Sequence, residues 1–217
     1  MEVQRQAGIV FAHACLNTAE DSAFVLSAIS LDVKLSIGKL VPSGLAGEVE
    51  VAVARHQGAR QSERQVSLEF VFSSTSKLLA VGTATVRFIP RGVYQRLRPR
   101  AAPAEPNVPP ESHLLAVNDA APSVDFSDPI AADHEVDHVP AMAIVSSIER
   151  TVMGSGNRRV GRLSISFERF LESQRTASLE IDEIGTGMFE GRVRQHSMCA
   201  AFFRGQREYL PHDRLEG

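Results

Sequence analysis

The first part of the chain shows one helical pattern followed by four strand patterns. Apolar residues at a spacing of three to four positions in residues 2–16 predict an amphipathic helix. Gly8 lies in its middle and lowers helix stability, so we expect another backbone to approach closely there. Strand-like runs then follow at residues 24–37, 47–57, 64–72 and 78–89. Within them, alternation of apolar and polar residues at 48–53 and 65–70 predicts strands with one solvated face.

The same order of patterns occurs again near the end of the chain. A helix is predicted from Ala141 to about Met153, because Pro140 suits a first helical turn and Gly154 suits a C-terminal cap. Four further strand-like runs follow at residues 161–171, 175–183, 187–196 and 198–209. Consecutive strands joined by short turns pair antiparallel. Each part is therefore predicted to contain one helix followed by about four antiparallel strands.

A proline-rich segment separates the two parts. Seven of the 11 prolines fall within residues 99–129, which predicts a stiff and extended linker. The predicted organisation is a first unit at residues 1–93, a linker at 94–128 with one candidate short strand at 113–117, and a second unit at 129–217. A sheet wrapped around each apolar helix would cover it, and two such units can join edge to edge. We therefore predict an α+β double hotdog.

Composition narrows the class of protein. The formal net charge of −3 gives no global basic field for nucleic acid or an acidic membrane surface. No apolar run approaches membrane-spanning length, and the N-terminus lacks the layout of a signal peptide, so a cytoplasmic protein is expected. The two cysteines, Cys15 and Cys199, indicate neither a disulfide framework nor a zinc site, and we predict that both are small core residues.

Two Asp-His pairs precede the second helix in the run DHEVDHVPAM, at Asp133, His134, Asp137 and His138. Histidines four residues apart can bind a metal on a helix, but Pro140 indicates that these residues precede the helix, and no third ligand is evident. No metal is therefore predicted. Two interpretations stay open: Asp137 or His138 caps the helix start, or these residues line the cleft between the two units.

This run resembles the signature of the A-factor biosynthesis hotdog (AfsA-type) family. The family pattern is Asp-His-x-x-Asp-His-Val-Pro-Gly-Met, an apolar run, and then Glu-Ala-x-Arg-Gln, once in each of two hotdog repeats. The second copy begins here at Asp133, with Ala141 in place of the motif glycine. The first copy is represented by its tail, with Glu2, Arg5 and Gln6 at the Glu, Arg and Gln positions. Residues 81–98 are also similar to the end of the family's first repeat.

The resemblance implies an acyltransferase similar in role to the synthases of γ-butyrolactone signals such as A-factor. In that reaction a β-ketoacyl group passes from acyl carrier protein to the hydroxyl of dihydroxyacetone phosphate. No metal or redox cofactor is implied. The expected partners are the acyl carrier protein thioester and dihydroxyacetone phosphate, with no nucleic acid and no membrane, and a homodimer is left open. The acyl chain is not specified by the sequence.

Such a transfer needs a base for the hydroxyl proton, cationic donors for the phosphate and N–H donors for the thioester oxyanion. We predict Glu2 and Arg5, on one helical face, as catalytic residues together with Asp137 and His138. The predicted substrate-binding residues are Gln6, Asp133, His134, Ser146, Glu149 and Arg150. The alternative for Glu2 and Arg5 is a solvated ion pair within the helix, contributing about 0.3–0.5 kcal/mol.

The second copy departs from the family pattern. Ser146 takes the Glu position, Glu149 the Arg position and Arg150 the Gln position, so we expect at most one competent half-site, around Glu2 and Arg5. Met1 aligns with a residue already inside the first repeat's helix, which predicts a first unit truncated at its N-terminus.

Two other functions stay open at this point. One is another hotdog enzyme acting on thioesters, a dehydratase or a thioesterase. The other is a degenerate, non-catalytic hotdog that binds an acyl ligand or a partner. The basic stretch at residues 91–100 is interpreted as a solvated linker, with docking of an acidic carrier protein as its functional alternative.

Overall fold

Eight strands and three helices form the part of the chain that the structure describes. A computed structural model describes residues 1–19, 22–34, 47–57, 64–74, 77–97, 140–154, 158–172, 177–195 and 198–209. The helices are α1 (Glu2–Cys15), α2 (Arg91–Leu97) and α3 (Ala141–Met153). The strands are β1 (Ser22–Val33), β2 (Glu48–Gln57), β3 (Arg64–Ser74), β4 (Lys77–Pro90), β5 (Arg158–Phe167), β6 (Ser178–Gly185), β7 (Met188–Gln195) and β8 (Met198–Tyr209).

All eight strands belong to one antiparallel sheet. Their order is β2-β3-β4-β1-β5-β8-β7-β6. The first half contributes β2-β3-β4-β1, and the second half repeats the same arrangement in reverse, so that the two halves meet where β1 pairs with β5. The predicted α+β class is confirmed, as is the order of one helix followed by four antiparallel strands in each half.

One face of this sheet carries the core. A line of directly opposed apolar residues crosses β3, β4, β1, β5 and β8, and each is less than 9% exposed. These residues are Leu68, Ala84, Ile29, Ile165 and Phe203. They belong to a single apolar cluster that also contains residues of α1 and α3, so both helices pack on this face. Because side chains alternate along a strand, the intervening residues, such as Ser30 opposite Ser164, lie on the other face.

Helix α3 is buried along most of its length and has the bounds that the sequence predicted. Seven of its residues are buried: Met142, Ala143, Ile144, Val145, Ser147, Ile148 and Val152. The carbonyl oxygen of Pro140 accepts a hydrogen bond from the Ala143 N–H at 3.0 Å, which closes the first turn. Gly154 ends the helix with a φ of 56°, and its N–H donates to the Arg150 carbonyl at 3.2 Å. The prediction of a glycine cap is therefore confirmed.

Helix α1 is less buried than α3, and its only buried residues are Gln4 and Ala12. Gly8 was expected to lie against another backbone, and this expectation is wrong. A Cβ atom at Gly8 would lie 3.4 Å from the Phe70 ring and 3.7 Å from the Leu68 side chain, both on β3. The small residue accommodates an aromatic ring, which periodicity alone does not distinguish from a backbone.

Helix α2 was not predicted from the sequence. It covers residues 91–97, across the expected boundary between the first unit and the linker. Its Tyr94 ring meets the Phe170 ring edge-on, with centroids 5.9 Å apart, so α2 contacts the second half of the chain. Most of the predicted linker, including the candidate strand at residues 113–117, lies outside the described residues.

Two further observations concern the cysteines and the membrane. Both cysteines are free thiols; Cys15 is exposed at the end of α1 and Cys199 is half-buried. The prediction that both are core residues is therefore wrong for Cys15, because it lies on the solvated side of a helix that buries only a narrow face. No helix in the described part of the chain is both long and apolar enough to cross a membrane.

Replacing Gly82 is predicted to destabilise the protein. An added Cβ atom would lie 2.8 Å from the Ser30 carbonyl oxygen and 2.8 Å from the Gln4 amide nitrogen. Because a backbone oxygen cannot move away cheaply, Gly82→Ala should lower the free energy of unfolding by about 1–3 kcal/mol in urea denaturation. Gly92→Ala in α2 is the control, since no atom lies within 4 Å of its added Cβ. Equal stability of the two variants would contradict the packing described here.

Candidate active site

The first turn of α1 holds a carboxylate and a guanidinium in a two-point contact. Arg5 Nε donates to Glu2 Oε1 at 3.2 Å and to Oε2 at 3.0 Å, and Arg5 Nη2 donates to Oε1 at 2.8 Å. The Gln6 amide nitrogen donates to the same Oε1 at 2.8 Å. The structure thus brings together the three predicted site residues of this helix.

This pair is neither fully solvated nor buried. The Arg5 and Glu2 side chains are 28% and 32% exposed. A partly exposed pair within one helix contributes at most about 1 kcal/mol to stability, so stability alone is a weak reason for it. Two-point contact between guanidinium and carboxylate instead restricts the orientation of both groups.

Gln4, which sequence reasoning missed, connects this turn to the sheet. Its side chain is 1% exposed, and its Nε2 donates to the Ser30 carbonyl at 3.1 Å and to the Thr83 carbonyl at 2.9 Å. These acceptors belong to the neighbouring strands β1 and β4. No signal for this contact was available in the sequence, because both acceptors are backbone atoms far along the chain.

Helix α3 contributes Glu149 to the same region. Burial raises the pKa of the Glu149 carboxyl, and the nearby amino group of Met1 acts in the opposite direction. Burial likewise lowers the pKa of the Met1 amino group, while the carboxylates of Glu149 and Glu2 act to raise it. Glu149 and Glu2 therefore both act on the Met1 amino group, although they come from different halves of the chain.

The other predicted residues of α3 are less closely placed. Ser146 is partly buried and Arg150 is exposed, so the neighbours Glu149 and Arg150 lie on different sides of the helix, as their adjacency predicts. The four residues of the Asp-His pairs, Asp133, His134, Asp137 and His138, lie outside the described residues. Among the residues that the structure describes, no cluster of three or more His, Cys, Asp or Glu side chains could hold a metal ion.

The chemistry of this arrangement follows from two carboxyl groups in different surroundings. Glu2 accepts hydrogen bonds from Arg5 and Gln6 and is held as an oriented proton acceptor. Burial raises the pKa of the Glu149 carboxyl, so the two carboxyl groups lie in different environments. An oriented carboxylate can serve as a general base, and Arg5 adds a positive charge for an anion.

Known structures with this architecture define the class of fold as hotdog. The chain superimposes on an acyl-ACP thioesterase from Bacteroides thetaiotaomicron with a TM-score of 0.56, at 13% identity over 96% of this chain and 89% of the other. A 12:0-ACP thioesterase from Umbellularia californica gives a TM-score of 0.59, at 13% identity over 96% and 88%. HtdX from Mycobacterium tuberculosis gives 0.61, at 12% identity over 94% and 83%. At such low identity these similarities show the fold alone.

Sequence comparison shows which proteins the chain is similar to. Residues 1–90 match the family model of the A-factor biosynthesis hotdog domain, and the predicted resemblance to that family is confirmed. The chain is also 27% identical, over 168 residues, to a 2-oxo-3-(phosphooxy)propyl 3-oxoalkanoate synthase from Streptomyces coelicolor. This match covers 67% of the chain and 52% of the relative, so the aligned part spans about half the length of that curated protein.

The environment of Glu149 predicts a pH-dependent effect on stability. A carboxyl whose pKa is higher in the folded than in the unfolded state binds its proton more tightly when folded, so the free energy of unfolding falls as pH rises above about 4.5. Glu149→Gln removes this loss. We expect the variant's stability, relative to the unsubstituted protein, to be greater at pH 7 than at pH 4 in urea denaturation.

The control for this experiment is Glu168→Gln, which changes a carboxyl on an exposed residue. Its effect on stability should differ less between the two pH values than that of Glu149→Gln. A Glu149→Gln effect that is the same at both pH values would contradict the burial of that carboxyl.

Proposed function

We propose that the protein is an acyltransferase of γ-butyrolactone signal biosynthesis. It transfers a β-ketoacyl group from acyl carrier protein to the hydroxyl of dihydroxyacetone phosphate. The observation that carries this proposal is the two-point Glu2–Arg5 contact, at the family's Glu and Arg positions and inside the matched residues 1–90. The name of the Streptomyces relative describes a product that is a 3-oxoalkanoate ester with a phosphooxy group, which agrees with these substrates.

The site residues would divide the chemistry as follows. The Glu2 carboxylate accepts the proton of the acceptor hydroxyl as its oxygen attacks the thioester carbon, and the positive charge of Arg5 attracts the acceptor's phosphate. The C–O bond of the ester forms and the C–S bond of the thioester breaks. The Glu2 carboxyl then gives this proton to the departing thiolate, and the Glu2 carboxylate is restored.

Only one half-site is expected to be competent. At the position equivalent to Glu2, α3 has Ser146, whose hydroxyl is a poor base at neutral pH. The residues we assign to substrate binding are Ser146, Glu149 and Arg150, together with Gln6, Asp133 and His134. Asp137 and His138 remain predicted catalytic residues, and the proposed location is the cytoplasm.

Hydrolysis of the thioester is the second candidate function. The same carboxylate, Glu2, could activate a water molecule in place of the acceptor hydroxyl, since nothing in the chemistry of a general base distinguishes the two nucleophiles. The acceptor therefore decides between transfer and hydrolysis, and the assay must be run with and without it.

The test incubates the purified protein with a β-ketoacyl carrier protein and dihydroxyacetone phosphate, and follows the phosphorylated keto ester by mass spectrometry. Ester that forms only when the acceptor is present supports the transferase. Release of the free acid without acceptor identifies a thioesterase. Binding of the thioester with no product from the folded protein identifies a non-catalytic binding protein.

Substitution of the pair should affect the rate strongly. Glu2→Gln removes the proton acceptor with little change in size, and we expect kcat to fall by about 10²-fold or more, the usual contribution of a general base. The matched control is Arg204→Ala, which breaks the exposed Arg204–Glu190 pair, 2.8 Å long, on the opposite face of the sheet. A full rate in Glu2→Gln, or an equal loss in both variants, would rule out the assigned role.

A further inference from the structure

The buried side-chain amide of Gln4, on helix α1, has a role that packing does not explain. Gln4 is 1% exposed and reaches strands β1 and β4, 26 and 79 residues away in the sequence. The orientation of its amide follows from chemistry: only the NH₂ group can donate to two carbonyl oxygens, since the amide oxygen would be repelled by both. Nε2 therefore holds the Ser30 and Thr83 carbonyls together under the first turn of α1.

The amide oxygen shows that this arrangement has a cost. Gln4 Oε1 is buried and has no hydrogen-bond partner among the described residues. A buried acceptor without a donor is unfavourable, because it has lost its hydrogen bonds to water. An aliphatic side chain of similar size would avoid that cost, so stability alone does not favour glutamine here.

The second half of the molecule shows that the fold does not require this amide. When the motif positions are aligned, with Ser146 at the Glu2 position, the residue at the Gln4 position is Ile148, which is 0% exposed. Register supports the equivalence of the sheet positions, since Gly82 lies opposite Leu31 and Gly205 lies opposite Leu163.

The space above these two glycines is filled differently. The Gln4 amide lies over Gly82, whereas the Phe189 ring lies over Gly205. In the second half, Ile148 takes the position of Gln4 and the Phe189 ring covers the glycine, so the fold accepts apolar side chains in both places. The polar contact of Gln4 with the sheet is therefore a feature of the half that carries Glu2 and Arg5.

The position of Gln4 connects it directly to that pair. Gln4 lies between Glu2 and Arg5 on the first turn of α1, and this turn has no side-chain hydrogen bond at its N-cap. The two hydrogen bonds of Gln4 to strands β1 and β4 fix the rotation of the turn relative to the sheet.

We propose that Gln4 is a positioning residue that locks the first turn of α1 to the carbonyls of β1 and β4, and so sets the orientation of the Glu2–Arg5 pair. The expected effect on turnover rests on the proposed function. The effect on the pair itself does not, so it can be measured whether or not the protein is a transferase.

The test compares Gln4→Leu with Gln195→Leu. Gln195 is the matched control because it is also buried, but its amide exchanges two hydrogen bonds of 2.9 Å with the Glu172 backbone, far along the chain from α1. Hydrogen exchange of the Arg5 Nε–H, followed by NMR, should become at least about tenfold faster in Gln4→Leu and stay unchanged in Gln195→Leu, because only the former releases the turn.

Kinetics provide the second readout. Gln4→Leu should lower kcat about tenfold or more while the KM for the carrier thioester changes less than about threefold, because a misoriented base slows chemistry more than binding. If the unsubstituted protein forms no ester, the proposed function fails, and Arg5 exchange alone decides the role of Gln4. Unchanged exchange in folded Gln4→Leu would overturn the inference.

Gln4→Glu keeps the test decisive if Gln4→Leu does not fold. A protonated carboxyl matches the amide in shape and donates one hydrogen bond to a carbonyl, whereas the carboxylate donates none. Exchange of the Arg5 Nε–H, relative to the unsubstituted protein at the same pH, should be close to normal at pH 5 and faster at pH 8. The same relative exchange at both pH values would contradict the proposed lock.

Discussion

The pairing of β1 with β5 is the contact on which the rest of the structure depends. It joins the two halves into one sheet, with Ile29 opposite Ile165 on the core face. An ion pair between Asp32 and Arg162, 2.6 Å long, crosses the same junction on the other face, but it is exposed and adds little stability. The backbone ladder and the apolar contact therefore hold the junction. Because the sheet is continuous, α1 and α3 pack on one face, and the charge of Glu149 in the second half acts on the Met1 amino group of the first half.

The strands and α3 were predictable because their signals are local. Strand-like runs, two of them clearly alternating, located all eight strands within a few residues, and Pro140 and Gly154 marked both ends of α3. Helix α2 was missed for two reasons. Pro90 and Gly92 are residues that disfavour a helix, and the contact of Tyr94 with Phe170 is long-range, so the local sequence does not show it. The burial of Cys15 was misjudged because periodicity shows which residues share a helical face but not how much of that face is covered.

The site was predictable only as far as spacing determines it. Residues three apart on a helix meet, so the Glu2–Arg5 contact follows from the sequence. Gln4 could not be assigned in this way, since its partners are distant in the chain and are backbone atoms that any sequence would supply. The family pattern singled out Glu149 in the sequence. The rise in the pKa of its carboxyl comes from burial, and burial is a property of the assembled fold.

The two halves share a topology but differ in chemistry, and this difference is physically reasonable. A polar site on a core-facing helix turn reduces stability, here through a buried amide oxygen without a donor and two partly buried charges. A fold built from two similar units can offset that cost in the unit without the site. In the second half, Ile148 is 0% exposed at the position where the first half has Gln4, and the Phe189 ring instead of an amide lies over the equivalent glycine. Helix α3 lacks the complete motif, and the apolar residue Ile148 at the position of Gln4 makes the second half more apolar. The stability of that half can thus offset the cost of the polar site in the first half.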